Sequence, residues 1–367
     1  TTASTLNSLV ASGAQKINVS GDATVTLTGN TTGAVTDIVV TNTAGASFGT
    51  ALGTAVNFTG GAGADAILLT ANFTKAITMG AGNDTVTYAA QGTGGSVAAG
   101  DGVDTIIMTT AETNSTNGVS ASSTFNTKFT GFETLKVSDA HTATADLDGI
   151  NAVSKVILAL GSNGGTINNL INGGTIDILA DGTGNLTVGE KSALVGASDV
   201  LNLNLKNTAA TNFRTVTVPN VETINIAVPD AATAGSAAVT HSLTLAATSA
   251  TSVVVTGNNG LTITNTNNTK ITNFDASGVV ANDTAQSAGV AATTDTAANL
   301  AVTFASADNT ATDTVNIKGG AGNDVLSGNI AKDNISGGAG DDYIYSDNAG
   351  AKRVETYTVS TGATDTA

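Results

Sequence analysis

Near the C-terminus an aspartate recurs at intervals of nine residues, at Asp324, Asp333 and Asp342, each two positions ahead of a large apolar side chain. The first copy reads Gly319-Gly320-Ala321-Gly322-Asn323-Asp324-Val325-Leu326-Ser327, and the third reads Gly337-Gly338-Ala339-Gly340-Asp341-Asp342-Tyr343-Ile344-Tyr345. Between them Gly328-Asn329-Ile330-Ala331-Lys332-Asp333-Asn334-Ile335-Ser336 is a degenerate copy whose Asp333 lacks the glycine pair. The common form is G-G-x-G-x-D-x-U-x, with U a large apolar residue. A nonapeptide of this kind has room for one tight turn and one short strand, and it can bury its apolar face only against its neighbours. About eighteen residues then complete a coil. Asp324 and Asp342 fall on one edge of such a stack and Asp333 on the opposite edge.

A second cluster lies near the N-terminus with a slightly longer step. Gly60-Gly61-Ala62-Gly63-Ala64-Asp65-Ala66-Ile67 is followed by Gly80-Ala81-Gly82-Asn83-Asp84-Thr85-Val86 and Gly100-Asp101-Gly102-Val103-Asp104-Thr105-Ile106, so that Asp65, Asp84 and Asp104 stand 19 and 20 residues apart. These three also share an edge if each coil bulges by a residue or two. Ile67, Val86, Ile106, Leu326, Ile335 and Ile344 occupy the U position and should point inward. Stacked turns bring aspartate carboxylates and turn carbonyls to one point. That is the hard, all-oxygen environment suited to Ca²⁺, which takes 6–8 oxygen ligands. The candidate metal residues are therefore Gly60, Gly61, Gly63, Asp65, Gly80, Gly82, Asp84, Gly100, Gly102, Asp104, Gly319, Gly320, Gly322, Asp324, Asp333, Gly337, Gly338, Gly340 and Asp342, with several ions bound. Met79 and Ala99 stand where the first glycine of their motifs is expected, so these half-sites and that of Asp333 depart from the pattern. A phosphate-cradling loop fits less well, because such loops open a helix, whereas these open strands and carry an acid.

Composition agrees with a thin stacked core. Charged residues make up 11% and aromatics 4%, with no Trp, against the roughly 25% charged residues of ordinary soluble domains. A hydrophobic content of 41% and a mean hydropathy of +0.16 exclude a disordered chain. Apolar residues alternate in short runs, as in Ile17/Val19, Val25/Leu27, Leu201/Leu203/Leu205, Val216/Val218, Ile224/Ile226, Leu243/Leu245, Val253/Val255 and Leu261/Ile263, which is the period of a strand. The best helix candidate, Ser4 to Ala11, is short. With no Cys there are no disulfides, so bound cations are the available staple. A net charge of −16 repels nucleic acid and attracts divalent cations. No stretch is long and apolar enough for a membrane helix, and no membrane insertion is expected. The opening Thr1-Thr2-Ala3-Ser4 reads as part of something longer or as a chain exported without an N-terminal signal.

The expected organisation is a β-solenoid over 1–110 holding the first cluster (60–107), a central solenoid region over 111–277, an irregular excursion over 278–300, the C-terminal roll over 301–347 and a tail over 348–367. Within the central region Gly131-Phe132-Glu133-Thr134-Leu135 echoes Asn220-Val221-Glu222-Thr223-Ile224. Glu133 and Glu222 could be metal ligands, but one carboxylate does not make a site, and a recurring turn-to-strand corner is the favoured reading. Catalytic motifs are sparse. His141 and His241 stand apart, so H-E-x-x-H is absent. Gly45-Ala46-Ser47-Phe48-Gly49 has the G-x-S-x-G form, but with no long helix to follow it reads as a solenoid turn, so no catalytic residue is assigned.

At the nonapeptides the chain resembles RTX proteins, the calcium-binding β-roll family exported by type I secretion. Phe58-Thr59-Gly60-Gly61-Ala62-Gly63-Ala64-Asp65, Gly131 to Leu135, Leu243 to Ala250 and Ile271 to Ser277 are similar, in order, to segments of Caulobacter-type surface-layer proteins. The resemblance implies an all-β fold, a right-handed parallel β-solenoid with an RTX β-roll, studded with Ca²⁺. It implies a secreted, extracellular, non-catalytic protein on a bacterial surface, partnered with itself in a two-dimensional lattice. Anchoring to lipopolysaccharide is expected from a domain outside this sequence. An RTX adhesin or biofilm-matrix protein is the alternative, and an RTX hydrolase a more distant one.

Overall fold

The computed structural model describes residues 2–10, 12–31, 33–121, 124–193, 198–230, 237–281, 295–345 and 356–358. The fold is all-β, with parallel strands stacked as a β-solenoid. Helix is confined among the described residues to single turns such as Thr110–Thr113 and Thr124–Lys128, and none is long and apolar enough to cross a membrane. The chain divides into two compact units, one of Thr1–Ser138 with Thr144–Val156 and the other of Asp139–Ala143 with Ile157–Ala367.

In the first unit, one sheet runs through Ser4–Leu6, Val25–Leu27, Ala46–Phe48, Ala66–Leu68, Thr85–Thr87, Thr105–Met108 and Thr134–Val137. A second runs through Lys16–Val19, Asp37–Val40, Asn57–Thr59, Ala76–Ala81, Ser96–Asp101 and Phe129–Thr130. Alternation sets which face is buried: Ile67, Val86, Ile106 and Leu135 meet in register and are all at most 1% exposed. The aromatic rings are spent across the gap between the sheets, where Phe48 and Phe58 pack edge to face at 5.6 Å. Met79 and Ala99, the two departures from the glycine pattern, are buried in the second sheet and fill core in place of the missing glycine.

Ser4 to Ala11 is not a helix. Ser4–Leu6 and Leu9–Val10 are strands, paired in parallel with Val25–Leu27 and Asn30–Thr31, while Ala11 lies outside the described residues. Eight residues cannot sustain a helix on their own, and the neighbouring coil offers backbone partners that a helix there would forgo.

The second unit repeats the arrangement. Its first sheet includes Thr175–Ile178, Val200–Leu205, Thr223–Val228, Ser252–Gly257, Asn273–Val279, Thr314–Lys318 and Lys332–Ser336. The second includes Thr166–Leu170, Leu186–Glu190, Asn212–Thr217, Thr240–Ala246, Gly260–Asn265, Val302–Ala305, Val325–Ser327 and Tyr343–Tyr345. Leu201, Ile224, Val253, Phe274, Ile317 and Ile335 form one continuous apolar row, and Phe274 stacks on Phe304 of the facing sheet at 3.9 Å. The two histidines belong to this unit's packing. His141 is fully buried with its Nε2 3.1 Å from the Thr166 carbonyl, and His241 packs against the Phe213 ring and accepts the Thr211 N–H. Of the expected excursion over 278–300, Gly278 and Val279 finish a strand and Thr296 to Leu300 make a turn, while 282–294 lie outside the described residues. The tail is described only at Thr356–Thr358, a strand paired with Asn334 to Ser336.

The packing makes a direct expectation. Ile106→Ala removes a fully buried side chain from the row of the first unit and should cost about 2–5 kcal/mol in unfolding experiments with calcium present. Val103→Ala, on a side chain 55% exposed, should stay within about 0.5 kcal/mol.

Candidate metal centre

The nonapeptide aspartates stand at the corner where a glycine turn enters a strand. Asp65, Asp84 and Asp104 immediately precede Ala66–Leu68, Thr85–Thr87 and Thr105–Met108, and the strands pair so that the three acids lie in line. Asp324 and Asp342 likewise precede Val325–Ser327 and Tyr343–Tyr345 of the second sheet, in line with each other. Asp333 lies across the coil in Lys332–Ser336 of the first sheet. All six are at most 1% exposed. The six U residues all face the core.

One hydrogen bond repeats along this edge. The N–H at each corner is accepted by the carboxylate one coil further on: Ala46 N–H by Asp65 Oδ1, Asp65 N–H by Asp84 Oδ1, and Asp84 N–H by Asp104 Oδ1, each at 2.7 Å. In the second unit Val302 N–H is accepted by Asp324 Oδ1 at 2.7 Å and Asp324 N–H by Asp342 Oδ1 at 2.8 Å. In Asp65 and Asp324 the second oxygen turns back to the residue's own glycine turn, where Asp65 Oδ2 accepts from Gly61 N–H and Asp324 Oδ2 from Gly320 N–H. Asp333 keeps that local bond, since its Oδ2 accepts from Asn329 N–H at 3.0 Å. The degenerate copy has therefore lost glycine without losing the turn.

Close stacking explains the glycines. A Cβ on Gly60 would strike the Met79 carbonyl oxygen and the Asp65 carboxylate, and one on Gly80 or Gly100 would strike the carbonyl of the turn before it. Gly61, Gly63, Gly319, Gly320, Gly322 and Gly337 are hemmed in by backbone or aspartate oxygen in the same way. Gly102 and Gly338 also meet a carbonyl oxygen of the preceding turn. At Gly82 and Gly340 the backbone itself demands glycine, with φ of +118° and +117°.

Two side chains that sequence reasoning passed over share the work. Asn83 Oδ1 accepts the Val103 N–H at 2.9 Å and Asn323 Oδ1 the Asp341 N–H at 3.0 Å, each reaching one coil on. The repeated Gly-Asn-Asp triplet was the available signal. Glu133, weighed in the sequence as a ligand and favoured as a turn-to-strand corner, takes part as well. Its Oε2 accepts the Asp104 N–H at 2.8 Å and so continues the aspartate row over a step of 29 residues. Glu133 and Glu222 are turn-to-strand corners, and both also carry the carboxylate-to-amide bond. Ser47 sits inside the strand Ala46–Phe48, paired with Thr26 and Ala66, rather than in the solenoid turn expected from the sequence or at a strand-to-helix elbow.

Electrostatics along the row are unfavourable without a counter-ion. Burial, then the charges of Asp104 and Asp65, push Asp84 up to about 7, and burial together with Asp342 pushes Asp324 up to about 7. Burial also raises Asp65 and Asp104, the latter with help from Glu133 and Asp101. Asp84 Oδ2 and Asp104 Oδ2 are buried and have no hydrogen-bond partner. Among the described residues no three acids, histidines or cysteines converge on one point. These residues fit a hard cation that takes one or two carboxylates and completes its shell with turn carbonyls and water. In the first cluster Asp65, Asp84 and Asp104 would hold it. In the second Asp324 and Asp342 would do so, with Asp333 serving the opposite edge.

Comparison with known families agrees with this chemistry. The family model of the RTX calcium-binding nonapeptide repeat (4 copies) matches residues 316–348. No curated protein matches the chain. The chain thus carries RTX calcium-binding nonapeptide repeats, and repeats of this kind bind calcium.

The raised carboxyls fix the sign of a pH effect. A group whose folded pKa lies above its unfolded value binds more protons in the folded state, so its contribution is full below about 4 and lost as pH rises through about 7. With excess chelator, lowering the pH from 8 to 5 should therefore raise the melting temperature or restore β signal in circular dichroism. With saturating calcium the trend should flatten or reverse, because protons then compete with the ion. Asp84→Asn should show the same crossing at pH 8. In chelator it removes a buried charge and should melt above the unaltered chain, whereas in saturating calcium it loses a ligand and should melt below it.

Proposed function

We propose that this chain is a non-catalytic structural component of a bacterial surface layer, which folds on calcium outside the cell and then assembles with copies of itself. The observation that carries the reading is that parallel stacking continues through strands of both units that have no nonapeptide, such as Asp37–Val40 and Val200–Leu205. The repeats are thus part of a solenoid scaffold rather than an appendage to a separate globular domain. The ordered resemblance to Caulobacter-type surface-layer segments supports the same reading, as do the low aromatic content and the net charge of −16. RTX-repeat proteins are typically secreted, which agrees with a chain that has no Cys and relies on ions to hold its edge.

Calcium then has two jobs. It relieves the buried carboxylate rows within a chain, and it brings together acidic chains that repel one another over about a Debye length, roughly 8 Å at physiological salt. Monovalent salt screens the repulsion without coordinating carboxylates. Electron microscopy of the purified protein should show sheets or ordered oligomers at about 10⁻³ M Ca²⁺, the extracellular affinity range, and dispersed chains in NaCl of matched ionic strength. A protein that stays monomeric at saturating calcium while binding glycans or foreign surfaces would instead be an adhesin.

A further inference from the structure

The second unit repeats the edge chemistry of the nonapeptides in a stretch that has no nonapeptide. Asp199 immediately precedes Val200–Leu205, and Glu222 immediately precedes Thr223–Val228, the strand paired with it. Asp84 and Asp104 take the same place ahead of their own paired strands. The hydrogen bond is also the same: Asp199 N–H donates to Glu222 Oε2 at 3.1 Å, as Asp84 N–H does to Asp104 Oδ1. One coil earlier Asn172 stands at this corner. Its Nδ2 donates to Asp199 Oδ1 at 3.2 Å, and its Oδ1 accepts the Val200 N–H at 2.9 Å.

A third carboxylate approaches this corner. Glu190 ends the strand Leu186–Glu190, is only 8% exposed, and has no hydrogen-bond partner on either oxygen. Asp199 Oδ2 is buried and equally without a partner. Burial, then the charges of Asp199 and Glu222, push Glu190 up to about 8. A buried carboxylate beside two other acids requires either a proton or a cation. A proton on Glu190 answers one acid of the three. A cation answers Glu190 and Asp199 together. The donors are all oxygen, which selects a hard ion over zinc or copper. The acids do not close a cage by themselves, so backbone carbonyls and water would complete the shell, as at the glycine turns.

We propose that Glu190 and Asp199, with Glu222 behind them, hold a divalent cation of the calcium class at a site independent of the nonapeptides. The ion ties the end of Leu186–Glu190 to the start of Val200–Leu205 and so staples a coil that lacks the glycine-rich turn.

The test uses the whole chain, folded in calcium. Elemental analysis after equilibrium dialysis should count one ion fewer per chain for Glu190→Gln than for the unaltered protein, with an unchanged circular dichroism spectrum. An unchanged ion count, with a melting temperature equal to or above that of the unaltered chain, would mean that Glu190 is simply protonated, and would overturn the proposal. Crystals of the unaltered protein soaked in Tb³⁺ give an answer that does not depend on how the variant folds. An anomalous peak in bonding range of the Glu190 carboxylate is expected. Peaks at the glycine turns with none at Glu190 would overturn this inference alone, and peaks at neither would overturn the calcium reading of the repeats as well.

Discussion

A buried carboxylate that accepts the amide N–H of the coil before it is the interaction on which this fold turns. It fixes register, because Asp84 Oδ1 can meet the Asp65 N–H only if the two coils align at that corner. It also sets a conflict. A hydrogen bond to a charged acceptor contributes about 1.5–3 kcal/mol, but each acid in the row brings a charge next to other charges in a place water does not reach. Asp84 and Asp104 each keep one oxygen that nothing in the protein satisfies. The same residues therefore align the coils and oppose their stacking, and a cation reconciles the two. Ligand binding and folding are in that sense one equilibrium.

The apolar core follows from the register that the edge sets. Once the corners align, Ile67, Val86, Ile106 and Leu135 stack without choice, and a β-branched or leucine side chain suffices at each level because the sheets are close. Between corners the chain has latitude. The coil that runs from Asp104 to Glu133 takes 29 residues where the two before it take 19 and 20, and it spends the excess on the turns around Thr110–Thr113 and Thr124–Lys128. A capping box between Thr109 and Glu112 closes the first of these locally, so the insertion leaves the stack undisturbed.

Much of this was legible in the sequence because the period is a physical length. Steps of 18 to 20 residues are one circuit of the coil, and the place of Asp65, Asp84 and Asp104 on one edge, and of Asp333 across from Asp324 and Asp342, follows from counting. What escaped did so for identifiable reasons. Glu133 was visible as a turn-to-strand corner, but its place in the acid row was not, because the insertion before it destroys the phase by which it would have been counted. Asn83 and Asn323 act as intercoil acceptors, yet asparagine in a glycine-rich stretch reads as a turn former. Ser4 to Leu6 went into a strand because pairing with Val25 to Leu27 outweighs local preference, and preference is all that a short segment shows. Glu190 carries no motif at all. Its relation to Asp199 and Glu222 exists only after the coil has closed.

The number of ions, more than the affinity of any one, then governs how the fold responds to calcium. A single site filled at ten times its dissociation constant stabilises the folded state by about 1.4 kcal/mol. That alone is small beside the 5–15 kcal/mol by which ordinary domains are stable. Three or four such sites give about 4–6 kcal/mol, enough to decide whether the chain is folded, and each adds a power of the calcium concentration to the equilibrium. In a stacked chain each coil leans mainly on its neighbours, so an ion secures its own stretch and conveys little to distant coils. The acidic corners at Asp65 to Glu133, at Asp199 to Glu222 and at Asp324 to Asp342 accordingly lie in separate parts of the sequence. The apolar rows between them, such as Val253, Phe274 and Ile317, need no charge to stay in register and carry none on their buried face.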